Sequence, residues 1–311
     1  MQRSRDFLIT IARRYYIDEK SQQEIADEFG ISRPTVSNIL RTCKETGIVE
    51  TRIQEGSPRT SALGEVLKKK FGLNRAIVIP VSDDAISLLS RLGKEAALFT
   101  HSIIRDGMQI GIAWGTTLYQ MVHQMQYENV EDVSVVQLMG GFGASNPQYD
   151  GSELARELSK RLKAKYYPLQ CPVLVKNILV KELLLEEPWI RKSLIQTSSL
   201  DVAFVGISSN NPDSSALVRA GYLTNEEAER IQKAGAIGHI CGYSYDKNGN
   251  LMDIPVNNRI IGIEFNAFLK IPERIGIACG ANKAAAVNAA LKGGHLTTLI
   301  TDESLAAKLT L

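Results

Sequence analysis

The chain has 311 residues, of which 44% are hydrophobic and 23% charged, and its formal net charge is +2. This length predicts two domains, and this composition is typical of a globular protein rather than a disordered one. No apolar run approaches the roughly 18–20 residues that a membrane span needs, so we expect no membrane partner. The N-terminus lacks the apolar core of a signal peptide, and the four cysteines form no CxxC pair, so we expect a cytoplasmic protein.

Helical spacing of apolar residues predicts three short helices within the first 45 residues. The first covers residues 4–16. The second begins after Ser21, which has Glu24 three positions on, the pattern of a capping box. It ends at Gly30, and the third helix begins after Ser32, a residue type that caps helices well. One short polar turn between two helices is typical of a helix-turn-helix.

The third helix has a polar outer face. Residues 33–44 contain three cations and no acid. Arginine can bond the edge of guanine, asparagine that of adenine, and hydroxyls can bond bases or phosphates. An ordinary helical hairpin with a solvated face is the alternative interpretation. We favour DNA binding, with contacts from Gln22, Ser32, Arg33, Thr35, Ser37, Asn38 and Arg41.

Composition divides the chain further. Residues 47–53 alternate after a glycine and predict a short β wing, so the helix-turn-helix domain is assigned to 1–55. The following polar stretch contains Gly and Pro, which predicts a linker with a connecting helix over 56–74. That helix can extend the linker, pack on the large domain or mediate self-association, and the sequence does not choose among these.

From residue 75 to 311, apolar runs alternate with helical stretches, which predicts a doubly wound α/β domain with a parallel sheet. The predicted strands are 75–81, 108–114, 133–139, 166–175, 201–208, 274–280 and 295–301. The predicted helices are 86–104, 117–126, 151–163, 181–197, 224–234, 281–292 and 303–309.

Three glycine-rich loops follow predicted strands, where ligands bind in such sheets. In the first loop, Gly115, Thr116 and Thr117 offer backbone amides and hydroxyls at a helix start, which suits a phosphate. The second contains Gly140 and Gly141, and the third places Lys283 at a helix start, where a cation is favourable if an anion lies beside it. Each loop alone is equally compatible with a tight turn; together they predict a small anionic ligand.

Other ligand chemistries have weaker support. The loops fit neither GxxxxGK[ST] nor GxGxxG, so neither a nucleotide triphosphate nor a dinucleotide is expected. The histidines lack metal-ligand spacing, and we predict neither a metal nor a cofactor. His239 lies in a glycine-rich segment and is the histidine that we place near a pocket. Residue order supports no catalytic triad.

Stretches along nearly the whole chain resemble the SorC family of bacterial transcriptional regulators, close to its DeoR-like branch. They are YYIDEKSQQEIADEFGISRPTVSNIL (15–40), WGTTL (114–118), VVQLMGG (135–141), DVAFVGIS (201–208), GAIGHICGYSYDKNG (235–249) and CGANKAAAVNAALKGGHLTTLITDE (279–303). The resemblance implies a tetramer that binds double-stranded operator DNA and has a sugar-phosphate-binding domain similar to glucosamine-6-phosphate deaminase and ribose-5-phosphate isomerase. It also implies that Gly115, Thr116 and Thr117 hold a phosphate.

The same resemblance implies that the Gly140–Gly141 loop lines the sugar site and that Lys283 reaches the effector. His239 stands where the family usually has an acid, and Met139 precedes the glycine pair and cannot form an imine, so binding should be noncovalent. We therefore expect a regulator of a carbohydrate-utilisation operon, a repressor released by a phosphorylated sugar or polyol. An isomerase- or deaminase-like enzyme with an added helical domain is the alternative, which the helix-turn-helix disfavours.

Overall fold

The computed structural model describes residues 5–49, 58–81, 85–141 and 149–311. The chain divides into two compact units, Met1–Glu55 and Gly56–Leu311. Each unit has its own cluster of buried hydrophobic side chains.

Three helices form the described part of the N-terminal unit: α1 (Arg5–Tyr16), α2 (Gln22–Phe29) and α3 (Arg33–Glu45). A complete capping box starts α2, because the Glu24 amide donates to Ser21 Oγ and the Ser21 amide donates to Glu24 Oε2. Gly30 then adopts φ 60°, a left-handed conformation that glycine tolerates, and the chain turns into α3. The local signals of the sequence therefore produce the three helices that they predict.

The apolar faces of these helices meet in a small core. Ile11, Ile25 and Val36 are fully buried, and Ala26 and Cys43 are buried with them. Because the apolar stripe of α3 lies in this core, its polar face is turned outward. The predicted β wing lies outside the described residues from position 50 onward, and residues 47–49 form a turn and bend.

Ten strands are described in the C-terminal unit: β1 (Arg75–Ile79), β2 (Gln109–Ile112), β3 (Ser134–Gln137), β4 (Lys165–Tyr167), β5 (Val202–Gly206), β6 (Ser208–Ser209), β7 (Gly238–Ile240), β8 (Tyr243–Tyr245), β9 (Glu273–Ile277) and β10 (Thr298–Asp302). Seven of them form one parallel sheet in the order β1-β10-β9-β5-β2-β3-β4. From β2 the chain proceeds outward through β3 and β4, and it then returns to β5 on the other side. The order therefore reverses between β2 and β5, and a crevice at such a reversal is where doubly wound sheets bind ligands.

The helices of this unit are α4 (Pro58–Phe71), α5 (Ala85–Ile103), α6 (Thr116–Gln124), α7 (Gly151–Arg161), α8 (Ile178–Glu186), α9 (Pro188–Ile195), α10 (Ala216–Arg219), α11 (Asn225–Lys233), α12 (Pro255–Asn258), α13 (Phe265–Phe268), α14 (Ala284–Lys292) and α15 (Glu303–Thr310). Buried strands such as β3 and β5 form the centre of the core. The described elements therefore have the α/β organisation predicted from the alternation of apolar runs.

The helix α4 packs on the sheet of the C-terminal unit. Leu67 is fully buried, and a side chain at Gly64 would lie 2.6 Å from the carbonyl oxygen of Ala76 in β1. At the end of the helix, Lys70 Nζ donates to the carbonyl oxygen of Leu309 in α15 at 2.9 Å. Of the three roles that the sequence allows for this helix, the structure thus shows packing on the large unit.

Two predicted elements are shorter than expected because prolines interrupt them. The predicted strand 166–175 ends at Tyr167, since Pro168 and Pro172 lack the N–H that a sheet ladder requires. The buried Gln137 side chain accepts from the Leu169 amide at 3.0 Å, which replaces one of the lost ladder bonds. The predicted helix 181–197 is two helices, α8 and α9, divided where Pro188 begins the second.

A second, antiparallel sheet was not predicted. It has the order β6-β7-β8, with His239 of β7 opposite Ser208 and Ser244. The turn between β7 and β8 consists of Cys241 and Gly242, both with positive φ (50° and 81°), which is the type I′ geometry of tight hairpins. These strands are two to three residues long, too short to give a recognisable alternation.

Candidate effector site and DNA-binding surface

A cavity of about 460 Å³ lies at the carboxyl ends of β2, β5 and β9, beside the reversal of strand order. Its wall combines the loop after β2, the loop after β5, the β7–β8 turn and the start of the helical segment after β9. Five predicted site residues line it: Gly115, Thr116, Thr117, His239 and Lys283. The fold therefore brings together residues that are up to 168 positions apart in the sequence.

The first glycine-rich loop presents a helix N-terminus to this cavity. Gly115 has φ 131°, a conformation that side chains rarely adopt, and α6 follows it without a side-chain capping hydrogen bond. The first amides of a helix have no partner within the helix, so they are available to an anion. The Thr116 side chain is exposed, whereas Thr117 is buried and its hydroxyl donates to the carbonyl oxygen of Ile277 at 3.1 Å. The Thr117 hydroxyl proton is therefore engaged, and its backbone amide is what remains to bind a ligand.

Two cations reach the same cavity, and the sequence indicated one of them. Lys283 is half-buried, and within the described part of the chain it forms no ion pair. Arg219, the last residue of the four-residue helix α10, also lines the cavity and donates to the carbonyl oxygen of Ser214 at 2.8 Å. Burial lowers the pKa of Lys283 below its usual range, and the Arg219 cation acts in the same direction. Both positive charges favour the binding of an anionic ligand in this cavity.

His239 presents an unused hydrogen-bond acceptor. Its Nδ1 lies 2.8 Å from Asn210 Oδ1, and Asn210 Nδ2 donates to the carbonyl oxygen of Gly238 at 3.2 Å. Since the Asn210 oxygen must accept, Nδ1 carries the proton and Nε2 has the free lone pair. This Nε2 is buried without a partner in the described chain. Burial, with the cations Arg219 and Lys283, lowers the pKa of His239 to about 3, so the imidazole is neutral at physiological pH.

The prediction that Gly140 and Gly141 line the cavity is not met by the described residues, since neither belongs to its wall. A side chain at Gly140 would come within 2.5 Å of the Cys171–Pro172 backbone, so this glycine permits close packing of two chain segments. Residues 142–148 of the same loop lie outside the described residues. Met139 is fully buried and pairs with Gly262, so its side chain lies in the core rather than in the cavity.

Three further wall residues were missed by sequence reasoning. Asp150 is the N-cap of α7, where its Oδ1 accepts from the amide and the hydroxyl of Ser152, both at 2.8 Å. Its carboxylate places an acid in the cavity although position 239 has none. Tyr149 adds an aromatic ring, and Cys241 adds a thiol whose pKa burial raises to about 12, so it is uncharged. The sequence Asp-Gly-Ser, a typical helix start, was the signal that could have identified Asp150. Arg219 had no such signal, because the four-residue α10 is too short to show a helical pattern.

The predicted DNA-binding residues lie on and beside α3. Ser32, Arg33, Ser37, Asn38 and Arg41 are exposed, whereas Gln22 and Thr35 are half-buried. The Thr35 amide donates to Ser32 Oγ at 3.3 Å, and their hydroxyl oxygens lie 2.8 Å apart. These two side chains therefore fix the start of α3.

The exposed side chains on α3 have few partners of their own. Arg41 Nε lies 3.7 Å from Glu45 Oε1, a loose contact between exposed groups, and the first turn of the helix contains no acid. Such an exposed pair contributes little stability, so Arg41 can exchange it for a phosphate at small cost. The outer face of α3 thus carries donors for bases and for phosphates.

Across the described ranges, no group of three or more His, Cys, Asp or Glu side chains is placed to hold a metal ion. In the same ranges, no helix has both the length and the apolar composition that crossing a bilayer requires.

Comparison with known proteins gives a consistent result for both units. Residues 58–310 match the family model Sugar-bind, a sugar-binding domain, and residues 2–56 match a Crp-like helix-turn-helix domain. The deoxyribonucleoside regulator of Bacillus subtilis is 34% identical over 97% of this chain and 96% of its own length. The sorbitol operon regulator of Klebsiella pneumoniae is 31% identical over 96% of each chain.

The fold agrees with these matches. The crystal structure of the full-length sorbitol operon regulator SorC from Klebsiella pneumoniae superimposes with a TM-score of 0.79 at 28% identity, covering all of both chains. A DeoR family transcriptional regulator from Listeria monocytogenes covers 80% of this chain with a TM-score of 0.75 at 26% identity. These relatives are regulators of transcription, not enzymes, so the alternative of an isomerase or deaminase is not supported. The chain belongs to the SorC/DeoR family of transcriptional regulators, with an N-terminal helix-turn-helix and a C-terminal sugar-binding domain.

Proposed function

We propose that this regulator responds to a phosphorylated sugar or polyol bound noncovalently in the cavity beside β2 and β5. The observation that carries the proposal is the pairing of two cations, Lys283 and Arg219, with the uncapped N-terminus of α6 in one cavity. A phosphate dianion is the kind of group that satisfies all three, because it accepts several hydrogen bonds and carries the required charge. Thr116 and Thr117 supply amides in this arrangement, and Gly115 shapes the loop; its own amide donates to the carbonyl oxygen of Tyr149 at 3.4 Å, a long bond that a phosphate can replace.

A phosphate is common to many metabolites, so the sugar part must be recognised elsewhere in the cavity. The lone pair of His239 Nε2 can accept a hydroxyl proton, as can the carboxylate of Asp150. Leaving such a buried acceptor unpaired costs about 1–3 kcal/mol, so a ligand that lacks the matching hydroxyl should bind less well. The Gly140–Gly141 loop contributes indirectly, because a side chain at Gly141 would lie 3.4 Å from the Asp150 carboxylate.

On the DNA side, we propose that α3 enters the major groove of a double-stranded operator. Base contacts come from Arg33, Asn38 and the exposed hydroxyl of Ser37, and Arg41 binds phosphate. The starts of α2 and α3 carry Gln22, Ser32 and Thr35. These residues position α3 and contact the sugar-phosphate backbone of the DNA. The operator is that of a carbohydrate-utilisation operon, and its regulation takes place in the cytoplasm.

We further propose a homo-oligomer, a tetramer as the family resemblance implies, that acts as a repressor and is released by its effector. Two recognition helices about 34 Å apart read two half-sites, which one copy cannot do. An effector shifts this equilibrium only if it binds the two states with different affinity.

A thermal-shift panel of paired compounds, each sugar or polyol with and without its phosphate, tests the effector class. At a concentration of 100 times the dissociation constant, a ligand specific for the native state stabilises it by about 2.7 kcal/mol. We expect at least one phosphorylated member to raise the melting temperature and to release operator DNA in a gel shift. Equal stabilisation by both members of every pair would contradict the role given to the phosphate.

A further inference from the structure

The helices α8 and α9 form an apolar surface that the described part of the chain does not cover. Six of the nine residues of α8 are apolar, yet none of its nine residues is buried. A helix of such composition is ordinarily enclosed by other elements. The large side chains of this α8–α9 surface are between 39% and 76% exposed: Ile178, Leu179, Val180, Leu183, Trp189 and Ile195.

The size of this surface matches an interface between proteins. The six side chains expose on the order of 700 Å², whereas the largest apolar patch of a typical monomer covers roughly 300–600 Å². One partner in a stable interface of ordinary size contributes roughly 800 Å². A large exposed tryptophan such as Trp189 is the kind of residue that dominates the energy of such contacts.

The charges on the same helices are arranged in a self-complementary way. Three acids, Glu182, Glu186 and Glu187, lie between Lys181 at one end and two bases, Arg191 and Lys192, at the other. Within the described chain none of these six charges forms an ion pair, and Lys192 Nζ lies 5.3 Å from the centre of the Trp189 ring. If two copies meet about a two-fold axis with their helix pairs antiparallel, the three acids of each copy face Arg191 and Lys192 of the other.

We infer that the α8–α9 surface is the contact between two copies of this chain, related by a two-fold axis. This inference rests on the self-association proposed above and names the surface that produces it. The apolar side chains supply the contact area, and the two facing sets of charges fix the antiparallel orientation.

The test measures molecular mass by light scattering over a concentration series, for the wild type and for Leu183→Lys and Trp189→Ala. Both side chains are exposed, so the substitutions leave the core intact, which circular dichroism verifies. We expect each variant to raise the dissociation constant of the contact by at least about thirtyfold, which corresponds to roughly 2 kcal/mol. Val66→Lys is the matched control, because Val66 is an apolar residue on helix α4 with 47% exposure.

A charge exchange tests the orientation. Glu186→Lys alone should weaken self-association, and adding Lys192→Glu in the same chain should restore it, because the two-fold axis pairs the two positions between copies.

The outcomes distinguish a failure of this inference from a failure of the proposed self-association. A monomeric wild type would refute self-association itself. If the wild type is oligomeric and both Leu183→Lys and Trp189→Ala keep its mass, the copies meet at another surface. Self-association would then stand, and the α8–α9 surface would bind a different partner. Equal dissociation by Val66→Lys would also refute it, since the effect would then not belong to α8 and α9.

Discussion

Replacing Lys283 with methionine should separate effector binding from folding. The substitution keeps the length of the side chain and removes its charge. In the protein without effector, burial and the Arg219 cation disfavour the charged form of Lys283, as its lowered pKa records. Removing that charge should therefore leave the free energy of unfolding unchanged or raise it slightly. A loss of effector response in this variant cannot then be attributed to a damaged fold.

The expected loss of binding follows from the surroundings of each cation. Lys283 is half-buried, so its hydrogen bond to a phosphate is charge-assisted and poorly screened, a contribution of about 1.5–3 kcal/mol. The dissociation constant of the phosphorylated effector should rise about 10- to 150-fold. Arg219 is exposed and screened by solvent, so Arg219→Met should cost less, about 0.2–1 kcal/mol.

The assay is titration calorimetry with the phosphorylated compound identified by thermal shift, alongside a gel shift with operator DNA. Lys292→Met is the matched control, because Lys292 is an exposed lysine in the last turn of the same helix, α14. We expect Lys292→Met to bind effector as the wild type does. The wild type and all three variants should bind operator DNA equally in the absence of effector.

The pH dependence gives a second readout. A bound phosphate favours the charged form of Lys283, so effector affinity should fall as the pH rises through the lowered pKa of the free protein. Lys283→Met should lack this dependence above pH 7, where the phosphate itself is already a dianion. Wild-type affinity in Lys283→Met, or an equal loss in Lys292→Met, would show that the anion binds elsewhere.

Three further predictions concern DNA recognition, folding and acid stability. Asn38→Ala should lower the discrimination between operator and mutated operator by about 1–3 kcal/mol in competitive gel shifts, and an unchanged ratio would remove Asn38 from base recognition. Ser21→Ala removes half of the capping box of α2 and should lower the free energy of unfolding by about 1 kcal/mol in urea titrations. The control is Ser37→Ala, at an exposed position within α3, which should change the free energy of unfolding by less. Because the pKa of His239 is about 3 when folded and near 6.5 when unfolded, the unfolded state binds more protons between those values, and stability falls with acidity by up to about 1.4 kcal/mol per pH unit. In His239→Gln, the free energy of unfolding should therefore fall less steeply between pH 6.5 and 5 than in the wild type. An identical dependence on pH in both proteins would show that His239 is not buried in its neutral form.

The sequence by itself determined the elements whose signals are local. The capping pair Ser21–Glu24 and the glycine at position 30 lie within ten residues of one another, so their hydrogen bonds and turn form wherever the rest of the chain lies. The same holds for Gly115 and Lys283, which stand where a strand passes into a helix. Alternation of apolar runs likewise indicated a parallel α/β sheet, because strands buried on both faces must be apolar throughout.

The tertiary structure alone decided which of these residues share a cavity. The order β1-β10-β9-β5-β2-β3-β4 places the loop after β2 beside those after β5 and β9, and no local pattern specifies that order. Arg219 and Asp150 become wall residues through the same long-range packing, whereas Gly140 packs against the Cys171–Pro172 segment instead. The neutral state of His239 depends on Asn210, 29 positions earlier, and on burial among elements distant in sequence. Contacts of this kind arise from the free energy of packing the whole core, which a window of ten or fifteen residues does not contain.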